Sequence, residues 1–151
     1  MLSLDRHDRR LALVAALIGV GIVLVSLFSH GGDIAGLIKF GSGGHVVERT
    51  AHVEEILGRE VATVDELGHD GSMYFLQAVD PFFLEADEHA VHLDRPVYRA
   101  QRMLFPTIAG VGGIVPPEML LWTMALTNVA AITLGAVGAG RVARRLSLIH
   151  I

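Results

Sequence analysis

Two long apolar runs bracket a polar, acidic middle, and this change of character along the chain predicts its main elements. Leu11 to Phe28 is 18 residues without a charge, close to the roughly 20 that a helix needs to cross a hydrocarbon core about 30 Å thick. It is apolar all round, so lipid suits it better than the core of a small domain. Met119 to Ala139 is a second uncharged run, of 21 residues, and Trp122 near its start fits an interfacial anchor. Gly135 and Gly138, with alanines around them, offer this second helix a small-residue face for packing on another. Asn128 and Thr127 sit in mid-run, where polar side chains commonly join helices. A third apolar stretch, Met103 to Val115, has only 13 residues and is broken by Pro106, Gly110, Gly112 and Gly113. Too short to cross, it predicts an interfacial or re-entrant segment, or a half-buried helix.

Shorter patterns lie between the runs. Val53, Ile56 and Leu57 stand at helical spacing, with Thr50 placed to cap the N-terminus and Gly58 to stop the helix, so Thr50 to Gly58 predicts a short amphipathic helix on the surface. Gly41-Ser-Gly-Gly44 reads as a flexible turn; a phosphate cradle would need a strand before it and Lys-Ser or Lys-Thr after it. The first apolar run follows basic residues, as a cleaved signal peptide would. We prefer a span, because the run exceeds the usual ~7–15 residue signal core and no Ala-x-Ala site follows it.

Composition sharpens the class. Apolar residues make up 52% of the chain and mean hydropathy is +0.51, which points to a membrane protein. With no cysteine, disulfides, a thiol nucleophile and thiolate metal sites are excluded. Between Ser29 and Glu118 there are 14 acidic against 6 basic side chains. Arginines crowd outside both runs: Arg6, Arg9 and Arg10 before the first, Arg141, Arg144 and Arg145 after the second. The positive-inside rule then puts both ends in the cytoplasm. The expected architecture is an all-α membrane protein of the inner (plasma) membrane: a cytoplasmic N-terminus at 1–10, transmembrane helices at 11–28 and 119–139, and between them an extracytoplasmic loop, 29–118, carrying short amphipathic helices. Residues 140–151 form a cytoplasmic end. Its last part, Leu146-Ser-Leu-Ile-His-Ile151, looks like the translation of a transposon end used in preparing sequencing libraries, so 146–151 is set aside as artefactual. The few basic residues are explained by topology, and nothing indicates nucleic acid as a partner.

Candidate chemistry concentrates in Gly68 to Phe82 and Leu93 to Pro106, where acids, arginines, aromatics and prolines gather. Asp70, before Gly71, is placed either to act as a general base or simply to begin a turn. If Pro96 opens a helix capped by Asp94, then Arg95, Arg99 and Arg102 share one face at spacings of four and three. Such a cationic stripe suits a phosphate through arginine's bidentate fork, or snorkels to lipid headgroups. Asp80-Pro81 reads as a turn or cap. His89 and His92, among Glu85, Asp87, Glu88 and Asp94, raise a divalent cation; the spacing matches no metal motif with a known mechanism. A solvated acidic loop is the preferred account, and no metal site is assigned.

Three stretches carry a resemblance: His69-Asp70-Gly71-Ser72-Met73-Tyr74-Phe75, then Asp80-Pro81, then Asp94-Arg95-Pro96-Val97-Tyr98-Arg99-Ala100-Gln101-Arg102-Met103-Leu104-Phe105-Pro106. Together they resemble bacterial multi-pass membrane proteins of the GT-C type, including those similar to GPI mannosyltransferases. Such proteins begin with a cytoplasmic start, one span and a large external loop bearing Asp-Gly or Asp-Ser followed by aromatics. A Tyr-Arg-x-Gln-Arg-x-Leu-x-Pro segment then leads into further spans. The resemblance covers the chain up to Arg145. It implies transfer of a sugar from a polyprenyl-phosphate donor to an extracytoplasmic acceptor, with Asp70 catalytic and His69, Tyr74, Arg95, Tyr98, Arg99 and Arg102 binding substrate. It also implies many more spans than the chain shows, so the chain is expected to be an N-terminal fragment whose partners are membrane lipid and missing C-terminal transmembrane helices or other membrane subunits. The alternative is a non-enzymatic two-span membrane protein whose acidic loop binds a partner. A rhomboid-like protease lacks support, with neither Gly-x-Ser-Gly nor histidine inside a span.

Overall fold

A run without charges can satisfy its backbone in an apolar setting only by its own hydrogen bonds, and both long runs are helical. The computed structural model describes residues 5–65 and 67–147; residues 148–151 of the segment set aside above lie outside the described residues. Helix α1 spans Arg6–Ser29 and helix α7 spans Pro117–Ser147. At 24 and 31 residues they are about 36 and 46 Å long. Both are long and apolar enough to cross a membrane. Each extends past its uncharged run into polar sequence: the Asp5 carboxylate accepts the Asp8 N–H at 2.7 Å, as an N-cap does, and Pro117 supplies the fixed φ suited to a first turn.

The chain divides into two compact units, residues 5–25 with 128–147 and residues 26–127. In the first, α1 and α7 run antiparallel, since Gly19 faces Val129 and Leu11 lies over Gly140. The buried Asp8 carboxylate accepts from Arg141 Nε at 2.9 Å and Nη2 at 2.7 Å, and also from Arg144 Nη2. Away from this seam α1 exposes Leu13, Val14, Leu17, Ile18, Ile22, Val25 and Phe28. A continuous apolar surface of that kind marks contact with lipid or another protein. Gly135 and Gly138 have nothing within 4 Å of where a side chain would begin, so their small-residue face is uncovered and Gly140 makes the helix contact instead.

In the second unit lie α2 (Val47–Leu57), α3 (Gly71–Val79), α4 (Ala86–His89), α5 (Pro96–Ala100) and α6 (Leu104–Gly110). Short 3₁₀ turns stand at Ile34–Leu37, Gly44–Val46 and Ala90–His92. Two short strands, β1 (Phe40–Gly41) and β2 (Thr63–Asp65), pair in parallel, so the chain is mostly helical rather than all-α. Gly41 belongs to β1 and is tightly packed, not a flexible hinge: a Cβ there would meet Val46 at 2.7 Å and the Gly68 nitrogen at 2.8 Å. Phe40, Val53, Phe75 and Ala109 are fully buried and form the core.

One local expectation changes. Helix α2 begins at Val47, and Thr50, expected to cap it, lies inside and donates its hydroxyl to the Gly41 carbonyl at 2.8 Å. Its face of Arg49, Val53 and Leu57 is buried while Val47, Glu48, Ala51 and Glu55 on the other side are exposed. Gly58 does stop it, in the left-handed conformation at φ 65°, as a C-terminal glycine does. Within 103–115 the structure forms the half-buried helix: Pro106, Ala109 and Gly110 of α6 are buried while Leu104 and Ile108 are exposed. Gly110 sits directly on the Ala78 carbonyl of α3. The turn reading of Asp80 agrees with its contacts, since its two carboxylate oxygens accept the N–H groups of Leu84 and Glu85, each at 2.8 Å.

Candidate functional site

Asp70 occupies the N-cap position of α3. Its carbonyl accepts the N–H groups of Met73 and Tyr74 at 3.1 Å, while its side chain caps nothing and turns instead to Arg99. Arg99 Nη2 donates to Asp70 Oδ1 at 3.1 Å and Nη1 to Oδ2 at 3.2 Å. The same guanidinium grips Asp94 through Nε at 3.0 Å and Nη2 at 3.3 Å. Two carboxylates thus share one arginine, whose side chain is 5% exposed against 61% for Asp70. Hydrogen bonds to Asp94 and then to Asp70 push the Arg99 pKa up, and the hydrogen bond from Arg99 holds the Asp94 carboxyl below its ordinary range. Such charge-assisted, bidentate contacts fix the direction of both carboxylates.

The arginine stripe expected from the sequence does not form. Pro96 does open α5, but the N-cap position is Arg95, no side chain caps the helix, and the helix ends at Ala100. Arg95 precedes it, Arg102 follows it, and both are exposed while Arg99 is buried. Asp94 directs its carboxylate to Arg99 instead of to a cap. Around the buried arginine the structure gathers other residues singled out by sequence. The Tyr74 and Tyr98 rings lie 5.8 and 5.9 Å from the Arg99 guanidinium carbon, and Arg102 stacks over Tyr98 at 4.5 Å. His69 stays exposed, its N–H held by the Lys39 carbonyl at 2.9 Å. Arg95 pairs with no carboxylate among the described residues.

Asp70 borders a cleft of about 530 Å³ lined by Arg49, Gly68, His69, Gly71 and Met73. No family model, curated protein or solved structure matches this chain. The cleft is therefore read from its own chemistry.

Two features escaped the sequence reading. Arg49 lines the cleft from α2 while only 4% exposed. Burial, with Arg99 nearby, drives its pKa down against the pull of Asp94 and Asp70. Its spacing of four and eight from Val53 and Leu57 was the available signal, because it sets an arginine on the apolar face of a helix. The second is His52, which joins His89 and His92, both singled out from the sequence, in a histidine cluster. His52 Nε2 and His89 Nδ1 are 3.0 Å apart, and the His52 and His92 rings stack at 4.3 Å. Burial and then the neighbouring His52 lower the His92 pKa. Beside it, Glu85, Glu88 and His89 bring one ligand atom each within 4.8 Å of one another. His52, some 37 positions from His89, was invisible to any local motif.

Proposed function

We propose that this chain is an integral membrane protein of the inner (plasma) membrane, with α1 and α7 as its spans, a cytoplasmic N-terminus and residues 29–118 on the outer side. The function its geometry supports best is glycosyl transfer of the GT-C type, mannosyltransferase-like, from a polyprenyl-phosphate sugar to an extracytoplasmic acceptor. The observation that carries this reading is the Asp70 carboxylate, exposed, aimed by two hydrogen bonds from Arg99 and set at the edge of a cleft. An acceptor hydroxyl in the cleft would lose its proton to Asp70 as its oxygen bonds to the anomeric carbon and the polyprenyl phosphate leaves. His69 borders the same cleft, and Tyr74 and Tyr98 flank Arg99. Arg99 acts as a positioning residue, since four of its five N–H groups go to carboxylates; exposed Arg95 and Arg102 are left to meet the outer groups of the lipid-linked donor. Additional transmembrane helices complete the enzyme, and the uncovered Gly135 and Gly138 face is where one would pack.

The test has two parts. Because the chain has no cysteine, Leu84→Cys gives a single labelling site, and a membrane-impermeant maleimide added to intact cells should label it; labelling only after lysis would reverse the topology. In membranes that transfer labelled sugar from a polyprenyl-phosphate donor, Asp70→Asn should lower turnover by about 10²–10⁴-fold, the usual worth of a general base. An unchanged rate would remove Asp70 from the chemistry. An external loop in membranes that transfer no sugar would leave the second reading, a two-span protein whose acidic loop binds a partner.

A further inference from the structure

Helix α3 has nine residues, and its N-terminus forms one wall of the cleft through Gly68, His69, Asp70 and Gly71. In its first turn the N–H groups of Ser72, Met73 and Tyr74 are taken up by the carbonyls of His69 and Asp70. The Gly71 N–H has no acceptor among the described residues. Unpaired first-turn amides and the helix dipole together make a positive end. Arg49 faces the same cleft from α2, independently of that helix end. Its Nε donates to the His92 carbonyl at 2.7 Å, and among the described residues no carboxylate lies within ion-pair distance of its Nη atoms. Arg49 is only 4% exposed, it lines the cleft, and its Nη atoms have no hydrogen-bond partner among the described residues. Arg99 next to it gives four of its five N–H groups to Asp70 and Asp94, so Arg49 is the arginine of this cleft whose Nη groups are left over.

We propose that this cleft binds a phosphate group, held by the Nη atoms of Arg49 and the Gly71 N–H. A guanidinium fork matches two phosphate oxygens, and a helix N-terminus matches a third. The ligand is a phosphate monoester or diester, either a lipid headgroup or a soluble phosphate. The site deepens the transferase reading, which would make the polyprenyl phosphate its natural occupant, yet its evidence is the arginine and the helix end. Asp70 at the rim repels an anion, and its pairing with Arg99 weakens that repulsion without removing it.

The experiment is a titration of the ¹⁵N-labelled full chain in detergent with inorganic phosphate, with chloride at equal ionic strength as control. A parallel arm uses vesicles of digalactosyldiacylglycerol, a lipid without phosphate, with and without phosphatidic acid. Saturating shifts of the Gly71 amide and the Arg49 Nε–H with either phosphate source, absent with chloride and with plain vesicles, support the site. Saturation by free phosphate assigns a soluble ligand; saturation by phosphatidic acid alone assigns a headgroup. Arg49→Gln should weaken binding about tenfold or more, as losing a charge-assisted hydrogen bond does, and Asp70→Asn should tighten it. No saturable shift from either source in the wild-type chain overturns the proposal, whether or not Arg49→Gln folds. So does equal affinity in a folded Arg49→Gln chain. Phosphate binding in membranes that transfer no sugar defeats the transferase reading alone, and sugar transfer without these shifts defeats this site alone.

Discussion

Arg99 shows how much one side chain can organise. It lies almost wholly out of solvent, holds Asp70 and Asp94 together, and presents its carbonyl to Gln77 Nε2 at 2.8 Å. Residues that the sequence could only suspect one by one are joined here by a single guanidinium. Arg99→Gln should cost about 2 kcal/mol in chemical denaturation, because hydrogen bonds to charged groups are each worth about 1.5–3 kcal/mol and both orphaned carboxylates can turn to water. A loss below about 0.5 kcal/mol would mean that the pairing is a surface contact. The same variant should raise the mobility of Asp70, so in a transfer assay it would reduce turnover without abolishing it. Arg49 makes the opposite case: its spacing on an apolar helix face was a signal passed over, and that its Nη atoms would meet no carboxylate is a fact of three dimensions.

At the scale of elements, the contact of α3 with α6 decides how the cleft wall is supported. Gly110 lies on the carbonyl of Ala78, and this approach of two backbones lets Ala109 reach full burial beside Phe75 in the core. Gly110→Ala should therefore push α6 away from α3 and destabilise the fold by about 1–3 kcal/mol, the range for overpacking a close contact. Thermal unfolding followed by circular dichroism would measure it, and an unchanged midpoint would show that α6 docks loosely. Sequence did announce a short, interrupted apolar segment here, because proline and glycines cut the run below spanning length. Which glycine would meet which carbonyl followed from packing. Helix α5 teaches the same limit, since Pro96 marked its start but nothing local foretold that five residues would suffice and leave Arg95 and Arg102 exposed outside it while Arg99 is buried.

For the whole molecule, acid is the informative variable. His92 titrates below its ordinary 6.5 in the folded chain, so on acidification the unfolded chain takes up that proton first. Stability should fall as pH drops below about 6.5. Asp33 is raised by burial but lowered further by hydrogen bonds from Arg59 and the Ala35 N–H, and Asp94 is lowered by Arg99. Both end below the ordinary 3.8, so the stability they add is present above that value and lost as pH falls through their folded values. Arg59 also reaches Glu118 at 3.2 Å, tying the first turn of α7 to Asp33. Unfolding midpoints measured across this range should decline in two stages, and His92→Gln should flatten the upper stage only. A stability maximum on the acid side of 6.5 would contradict this.

By itself the sequence determined the two long helices, the helix stop at Gly58, the turn at Asp80 and the region where the candidate chemistry gathers. Each of these follows from neighbours along the chain: unbroken apolar length, a glycine able to adopt positive φ, a short carboxylate over its own following amides. Tertiary structure alone decided that Arg99 would hold Asp70 and Asp94, that Arg49 would line a cleft with its Nε on the His92 carbonyl and its Nη atoms paired with no carboxylate among the described residues, that His52 would join His89 and His92, and that β1 would find β2. Those outcomes depend on which side chains meet across 20 to 40 or more positions, as with the separations of 29 for Asp70 and Arg99 and 43 for Arg49 and His92. Local periodicity fixes which face of an element is buried; what that face meets is set only when the elements pack.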